Sequence, residues 1–161
     1  MNTKATILAV GATAFVCGAV FCLAITSLAG HQASGPQRHW TSTQLADAGY
    51  ATPEAGLKTL LWGISNADAD TFLSSLSPDA ADAVQKAWQG KLDSVLHTFK
   101  RGLGKTKGYQ ILGEQSSNDE ITIDLLSTIY DGRTYDRKYT FKKVGGEWKC
   151  AHVAPLPEID D

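Results

Sequence analysis

Residues 121–144, ITIDLLSTIYDGRTYDRKYTFKKV, contain the pattern that decides the fold. Ile121, Ile123 and Leu125 alternate with polar residues, which is the period of a β-strand with one buried face. Asp131-Gly132 is a strong signal for a tight hairpin turn. The residues from Thr134 to Val144 form the returning strand. Its aromatic residues on one face are Tyr135, Tyr139 and Phe141. The stretch therefore predicts an antiparallel hairpin with one apolar face.

The alternation continues on both sides of this hairpin. After Gly108, Tyr109 and Ile111 begin an earlier strand. Gly145-Gly146 makes a second turn, and Glu147–Val153 follows as a last strand. The sequence thus predicts about four antiparallel strands.

Three helices are predicted before the strands. Thr52-Pro53-Glu54 combines a capping hydroxyl, a proline in the first turn and an early acid, which is typical of a helix start. Asn66-Ala67-Asp68 ends this helix, and Asp68 can cap a short second one. Ser77-Pro78-Asp79 repeats the starting signature and begins a longer third helix, which Gly102 and Gly104 end. Helices followed by antiparallel strands predict an α+β domain.

Before this domain, the run from Ala5 to Gly30 contains no charged residue. Its roughly 26 residues are enough to cross a bilayer as a helix, and they exceed the apolar centre of a signal peptide. We expect a membrane anchor formed by residues 5–30, and a signal cleaved near Ala29 is the alternative. Lys4 and the amino terminus outweigh Arg38 in positive charge, so the domain is expected outside the cytoplasm. Cleavage would instead give a secreted or periplasmic protein.

Four segments result from these patterns. They are an anchor or signal peptide at 1–30, a linker at 31–51, the α+β domain at 52–155 and an acidic tail at 156–161.

Composition narrows the function classes. The chain has 161 residues and a formal net charge of −2, so no basic field indicates nucleic-acid binding. Cys150 is the one cysteine outside the N-terminal run, and a disulfide within the domain is therefore not expected. A domain of about 110–120 residues can bury a core without metal or disulfide support.

Several short motifs resemble the NTF2-like superfamily over roughly residues 50–155. They are Thr52-Pro53-Glu54-Ala55, Leu60-Leu61-Trp62, Asn66-Ala67-Asp68, Leu76-Ser77-Pro78-Asp79 and Gly146-Glu147-Trp148-Lys149. The resemblance implies a cone in which a curved antiparallel sheet wraps around three helices and leaves a pocket at the open end. Many members have glycine at the helix break where this chain has Ala67. The superfamily contains isomerases, dehydratases, transport factors and domains without known activity, so the fold alone does not assign a function.

Six residues are the candidates for this pocket. They are Trp62, Tyr139, Phe141, Trp148, Cys150 and His152. Alternate residues of a strand share a face, so Trp148, Cys150 and His152 are expected on one side. Cys150 and His152 could form a thiol with its base or a metal pair, but they are neighbours on one strand and lack a third ligand. The sequence therefore predicts no catalytic residue, no metal and no cofactor.

Two functions follow as hypotheses. The first is a membrane-tethered, non-catalytic module that binds a partner protein or a small apolar ligand. The second is a small isomerase- or dehydratase-like enzyme for a hydrophobic substrate, with His152 as base and Tyr139 as hydrogen-bond donor. The enzyme requires His152 inside an enclosed cavity. A homodimer through the exposed sheet face is a further expectation.

Overall fold

The structure is a computed structural model that describes residues 38–153. The predicted anchor at 1–30, the linker as far as residue 37, the domain boundary at 155 and the acidic tail at 156–161 lie outside the described residues. Among the helices of residues 38–153, none is both long and apolar enough to cross a membrane.

Residues 38–153 form four α-helices and five β-strands. The helices are α1 (Pro53–Asn66), α2 (Ala69–Ser74), α3 (Pro78–Ala87) and α4 (Leu92–Leu103). The strands are β1 (His39–Thr41), β2 (Thr106–Ser117), β3 (Glu120–Ile129), β4 (Thr134–Val144) and β5 (Glu147–Val153). A short 3₁₀ turn at Ser42–Gln44 follows β1. The predicted α+β class is confirmed.

The prediction of about four strands was wrong, since the described part of the chain forms a five-stranded antiparallel sheet in the order β1-β2-β3-β4-β5. The additional strand, β1, lies in the segment interpreted as a linker and pairs with the start of β2. Its three residues are too few to show a period. Trp40, 5% exposed, nevertheless belongs to the core and stacks on Tyr109 with ring centroids 6.0 Å apart.

The predicted helix starts are confirmed by their caps. The side chain of Thr52 accepts a hydrogen bond from the Ala55 N–H at 3.1 Å, and that of Asp68 accepts from the Thr71 N–H at 3.0 Å. Ser77 caps α3 in the same way. Ala67 ends α1 in the left-handed conformation, with φ 55° and ψ 37°.

The long third helix was predicted incorrectly, because it is two helices, α3 and α4. The chain leaves α3 at Trp88 and turns through Gly90, which has a φ of 66°. Apolar residues keep their helical spacing across this break, so their periodicity alone did not reveal it.

The core lies between α1 and one face of the sheet. Leu57, Leu60 and Leu61 on α1 are fully buried, as are Ile123, Leu125 and Phe141 on the strands. Register shifts interrupt the pairing of β2 with β3 and of β4 with β5. Such bulges bend and twist strands, which lets a sheet curve around the helices.

The edge of β5 is covered by the junction between α2 and α3. The Cys150 N–H donates to the Ser75 carbonyl at 2.8 Å, and the Ser77 N–H donates to the Cys150 carbonyl at 2.8 Å. The opposite face of the sheet carries polar pairs such as Thr122 with Thr140, whose hydroxyls lie 3.1 Å apart. The homodimer expected on that face stays a prediction.

Candidate functional site

A cavity of about 930 Å³ lies between the helices and one end of the sheet. All four helices contribute to it, together with the start of β2, the end of β3, the first half of β4 and the end of β5. Its volume is within the range of about 300–1,000 Å³ that is usual for small-molecule sites. The space between the helices and the sheet is therefore large enough for a ligand.

The helical wall of the cavity is apolar. It includes Leu60, Leu61, Ile64, Phe72, Leu76, Val84, Trp88, Phe99 and Leu103. Trp88 stacks on Phe72 with centroids 6.1 Å apart and meets Phe99 edge to face at 5.7 Å. Phe99 remains 43% exposed, so an aromatic surface stays accessible on this wall.

The sheet wall carries polar groups on its inner face. Tyr135, Arg137 and Tyr139 alternate along β4, and their partners on β3 are Ser127, Leu125 and Ile123. Opposed residues in a sheet share a face, and Leu125 and Ile123 are fully buried. The side chain of Arg137 therefore leaves β4 on the core side of the sheet, where it lines the cavity.

Two buried tyrosines accompany this arginine. Tyr109 and Tyr139 are each 3% exposed, and the hydroxyl of Tyr109 has no hydrogen-bond partner among residues 38–153. Burial raises the pKa of Tyr109 to about 12. Burial also raises the pKa of Tyr139, although the positive charge of Arg137 acts to lower it. Both hydroxyls are thus protonated at neutral pH and available as donors.

The charges that line the cavity all have one sign. Lys105, Arg133 and Arg137 contribute to its described lining, which includes no carboxylate. Arg133 forms an exposed ion pair with Asp131 at 2.8 Å, whereas Arg137 makes no ion pair within residues 38–153. Within residues 38–153, Lys105 and Arg137 are thus the lining cations without an ion pair, and Arg137 is the one that is not exposed.

Of the six predicted pocket residues, the cavity brings three together. Tyr139, Cys150 and His152 line it, but Trp62, Phe141 and Trp148 do not. Phe141 is fully buried and lies 3.3 Å from the position of a β-carbon on Gly56, so it packs beneath α1. Trp62 and Trp148 are half-buried elsewhere.

Sequence reasoning missed Tyr109, Arg137 and the helical wall. Arg137 could have been found, because it stands between Tyr135 and Tyr139 in the alternation that placed those tyrosines on one face. An arginine at a core-facing strand position is unusual unless something pairs with it.

His152 does not share the face of Cys150, contrary to the expectation from strict alternation. Cys150 pairs with Phe141 and His152 pairs with Thr140, so Ala151 is an extra residue in β5, a bulge. Beyond this bulge, the side chain that alternation would place on the inner face lies on the outer face. His152 borders the cavity at the end of β5 but is exposed and lies on the outer face with Thr140. The enclosed base that the enzyme hypothesis requires is absent at this position.

The two remaining groups that could act as nucleophile or base are a protonated thiol and a paired carboxylate. Burial raises the pKa of the Cys150 thiol to about 12, and its sulfur lies 3.6 Å from the His152 carbonyl. Asp124 forms an ion pair with Lys138 at 3.3 Å on the face opposite Ile123. Within the described part of the chain, no group of three or more histidines, cysteines or acids could hold a metal.

Comparisons with known proteins bear on the fold. No family model matches the chain, and no curated protein matches its sequence. Among solved structures, the chain is similar to a Campylobacter jejuni protein described as an NTF2-like transpeptidase, with 16% identity and a TM-score of 0.51 over 63% of this chain and 98% of that one. It is also similar, with 13% identity and a TM-score of 0.49, to a SEC-C motif containing protein from Rhodopseudomonas palustris, over 66% of this chain and 80% of that one. The Campylobacter similarity supports the NTF2-like fold, and identity this low shows the fold alone.

Proposed function

We propose that this protein is a non-catalytic, NTF2-like binding module that holds a small apolar ligand in the cavity between its helices and sheet. The observation that carries the proposal is the cavity itself, with its helical wall of leucine, phenylalanine and tryptophan side chains. Apolar surface that remains accessible in such a concave site is stabilised by an apolar occupant.

Binding rather than catalysis is favoured by the groups around the cavity. His152 is exposed, the Cys150 thiol is protonated, and Asp124 is paired on the opposite face. In the part of the chain that the structure describes, none of these three groups is therefore positioned as a base or nucleophile against a bound molecule. A ligand also explains the cavity better than a partner protein, since the concave space accepts a small molecule whole.

The binding test uses the full chain in lipid nanodiscs with the uncharged fluorescent probe N-phenyl-1-naphthylamine. Ala83→Trp places a large side chain at an exposed cavity-lining position of α3, and Ala87→Trp places the same side chain on the same helix outside the cavity. We expect the first variant to weaken probe binding about tenfold and the second to leave it unchanged, since probe in the lipid contributes equally to both. Equal binding by both variants, with unchanged circular dichroism, would contradict a ligand in this cavity.

We further propose that residues 5–30 tether the domain to a membrane, outside the cytoplasm. The length of the uncharged run supports the tether, and the positive charge of Lys4 and the amino terminus against Arg38 supports the location outside the cytoplasm. Sequencing the amino terminus of the protein from the membrane fraction tests it, and we expect residues before Ala29 to be retained. A mature amino terminus near Gly30 would show a cleaved signal instead.

A further inference from the structure

A row of inward-facing residues crosses three strands at the sheet wall of the cavity. Tyr109 on β2 and Tyr135 on β4 are both opposite Ser127 on β3. Neighbouring strands lie about 4.8 Å apart, so the two rings stand roughly 10 Å from one another at their bases. The small side chain of Ser127 leaves space between them.

Arg137 lies on the same inner face of β4, next to Tyr135. It follows Tyr135 by two residues on the same face and precedes Tyr139 by two. Tyr109, Arg137 and Tyr139 all line the cavity. Burial raises the pKa of both tyrosines, the side chain of Thr106 lowers that of Tyr109, and the positive charge of Arg137 acts against burial at both. One cation and two hydroxyl donors thus line the same cavity.

Two of these three groups, Tyr109 and Arg137, are incompletely satisfied within residues 38–153. The buried Tyr109 hydroxyl makes no hydrogen bond there, and Arg137 makes no ion pair. A buried polar group without a partner costs free energy, and a partly buried charge costs more. Both are satisfied at once by an anionic acceptor.

We propose that the ligand is an amphiphilic monocarboxylate, such as a medium- or long-chain fatty acid, whose carboxylate binds Arg137 and the hydroxyls of Tyr109 and Tyr139. This inference rests on the proposed function and specifies its ligand. The apolar chain occupies the space along Trp88 and Phe99.

Of the three described cations that line the cavity, Arg137 is the one that is not exposed, which favours a carboxylate over a doubly charged phosphate. A guanidinium matches the two oxygens of a carboxylate with parallel hydrogen bonds. A phosphate monoester carries up to two negative charges and would require a second inner cation. Lys105 and Arg133 are both exposed, and Arg133 is already paired with Asp131.

The test compares decanoate with decanol, which differ in the head group, on the full chain in nanodiscs. Binding is followed by NMR of ¹³C-labelled tyrosine rings, so the signal comes from the cavity and not from the lipid. We expect the wild type to prefer decanoate at least tenfold, and Arg137→Met to abolish that preference while retaining decanol binding, since a hydrogen bond to a charged group contributes about tenfold or more. Arg101→Met is the matched control, because Arg101 is exposed on α4 and does not line the cavity, and it should change the preference less than threefold.

Tyr109→Phe keeps the buried ring and removes the hydroxyl. It should weaken decanoate binding about tenfold and change decanol binding less than threefold, as expected for the loss of one hydrogen bond to a charged carboxylate. The two proposals fail in different ways. Binding of neither probe contradicts the proposed function, whereas equal binding of both, or an unchanged preference in Arg137→Met, overturns the carboxylate site alone.

The acidic tail is a competing source of carboxylates. Glu158, Asp160 and Asp161 follow Val153, which lines the cavity, by only a few residues. A variant with Glu158→Gln, Asp160→Asn and Asp161→Asn separates the two sources. We expect its decanoate affinity to equal that of the wild type. Decanoate binding that appears only in this variant would show that the tail occupies the site and would overturn the proposal.

Discussion

Gly56→Ala is expected to destabilise the domain, although alanine is the better helix former. At an unhindered helix position this change stabilises by about 1 kcal/mol. A β-carbon on Gly56 would lie 2.8 Å from the Trp148 carbonyl oxygen and 3.3 Å from a ring carbon of Phe141. The oxygen belongs to the backbone of β5, and Phe141 is fully buried, so neither yields easily. Overpacking of this kind costs about 1–3 kcal/mol. We therefore expect a net loss of about 1 kcal/mol, within limits of roughly 0 and 2.

Gly102→Ala supplies the matched control for this prediction. Gly102 lies in α4, and a β-carbon there would meet no atom within 4 Å. The same substitution should therefore stabilise by about 0.5–1 kcal/mol. Urea unfolding, followed by tryptophan fluorescence, measures both free energies of unfolding. A stabilised Gly56→Ala variant would refute the close approach of α1 to β5 as the reason for glycine.

Three further predictions concern stability. Ala67→Gly should raise the free energy of unfolding by up to about 1 kcal/mol. The strain that alanine has in the left-handed conformation is relieved, and this gain exceeds the loss from the greater entropy of glycine in the unfolded chain. A lowered midpoint in urea would contradict this. Trp40→Ala should lower the free energy of unfolding, measured by thermal or urea unfolding, by about 3–5 kcal/mol if β1 belongs to the domain. A loss below about 1 kcal/mol would indicate that β1 is part of a linker. Burial raises the pKa of Cys150 and Tyr109 to about 12 from 9.0 and 10.0, so the unfolded chain loses these protons first and stability should fall as the pH rises from about 9 toward 12. Urea titrations from pH 7 to 11 test this. Cys150→Ala should remove the part of the loss of stability that begins near pH 9. A stability that rises with pH in this window would be inconsistent with both pKa shifts.

The sequence alone predicted the features that depend on residues close together in the chain. The caps at Thr52, Asp68 and Ser77 lie where their side chains predicted helix starts, because a capping hydrogen bond joins residues three positions apart. The hairpin at Asp131-Gly132 follows from its turn residues in the same way.

The sequence was insufficient where distant parts of the chain decide the conformation. The three residues of β1 are strand only because β2 supplies their hydrogen bonds. The apolar spacing shared by α3 and α4 conceals the turn at Gly90. One bulge at Ala151 moves His152 to the outer face, since a shift of one residue reverses the side of every residue that follows it.

The amino-acid sequence by itself determined the α+β class, the starts of α1, α2 and α3, the hairpin and the uncharged run before the domain, because each depends on residues close together in the chain. Only the tertiary structure decided which of these residues meet around a cavity. Tyr109 and Arg137 come from strands separated by β3, and the apolar wall comes from four helices. Their convergence depends on the curvature and register of the sheet, which arise from contacts among all its strands and are not encoded at any single position.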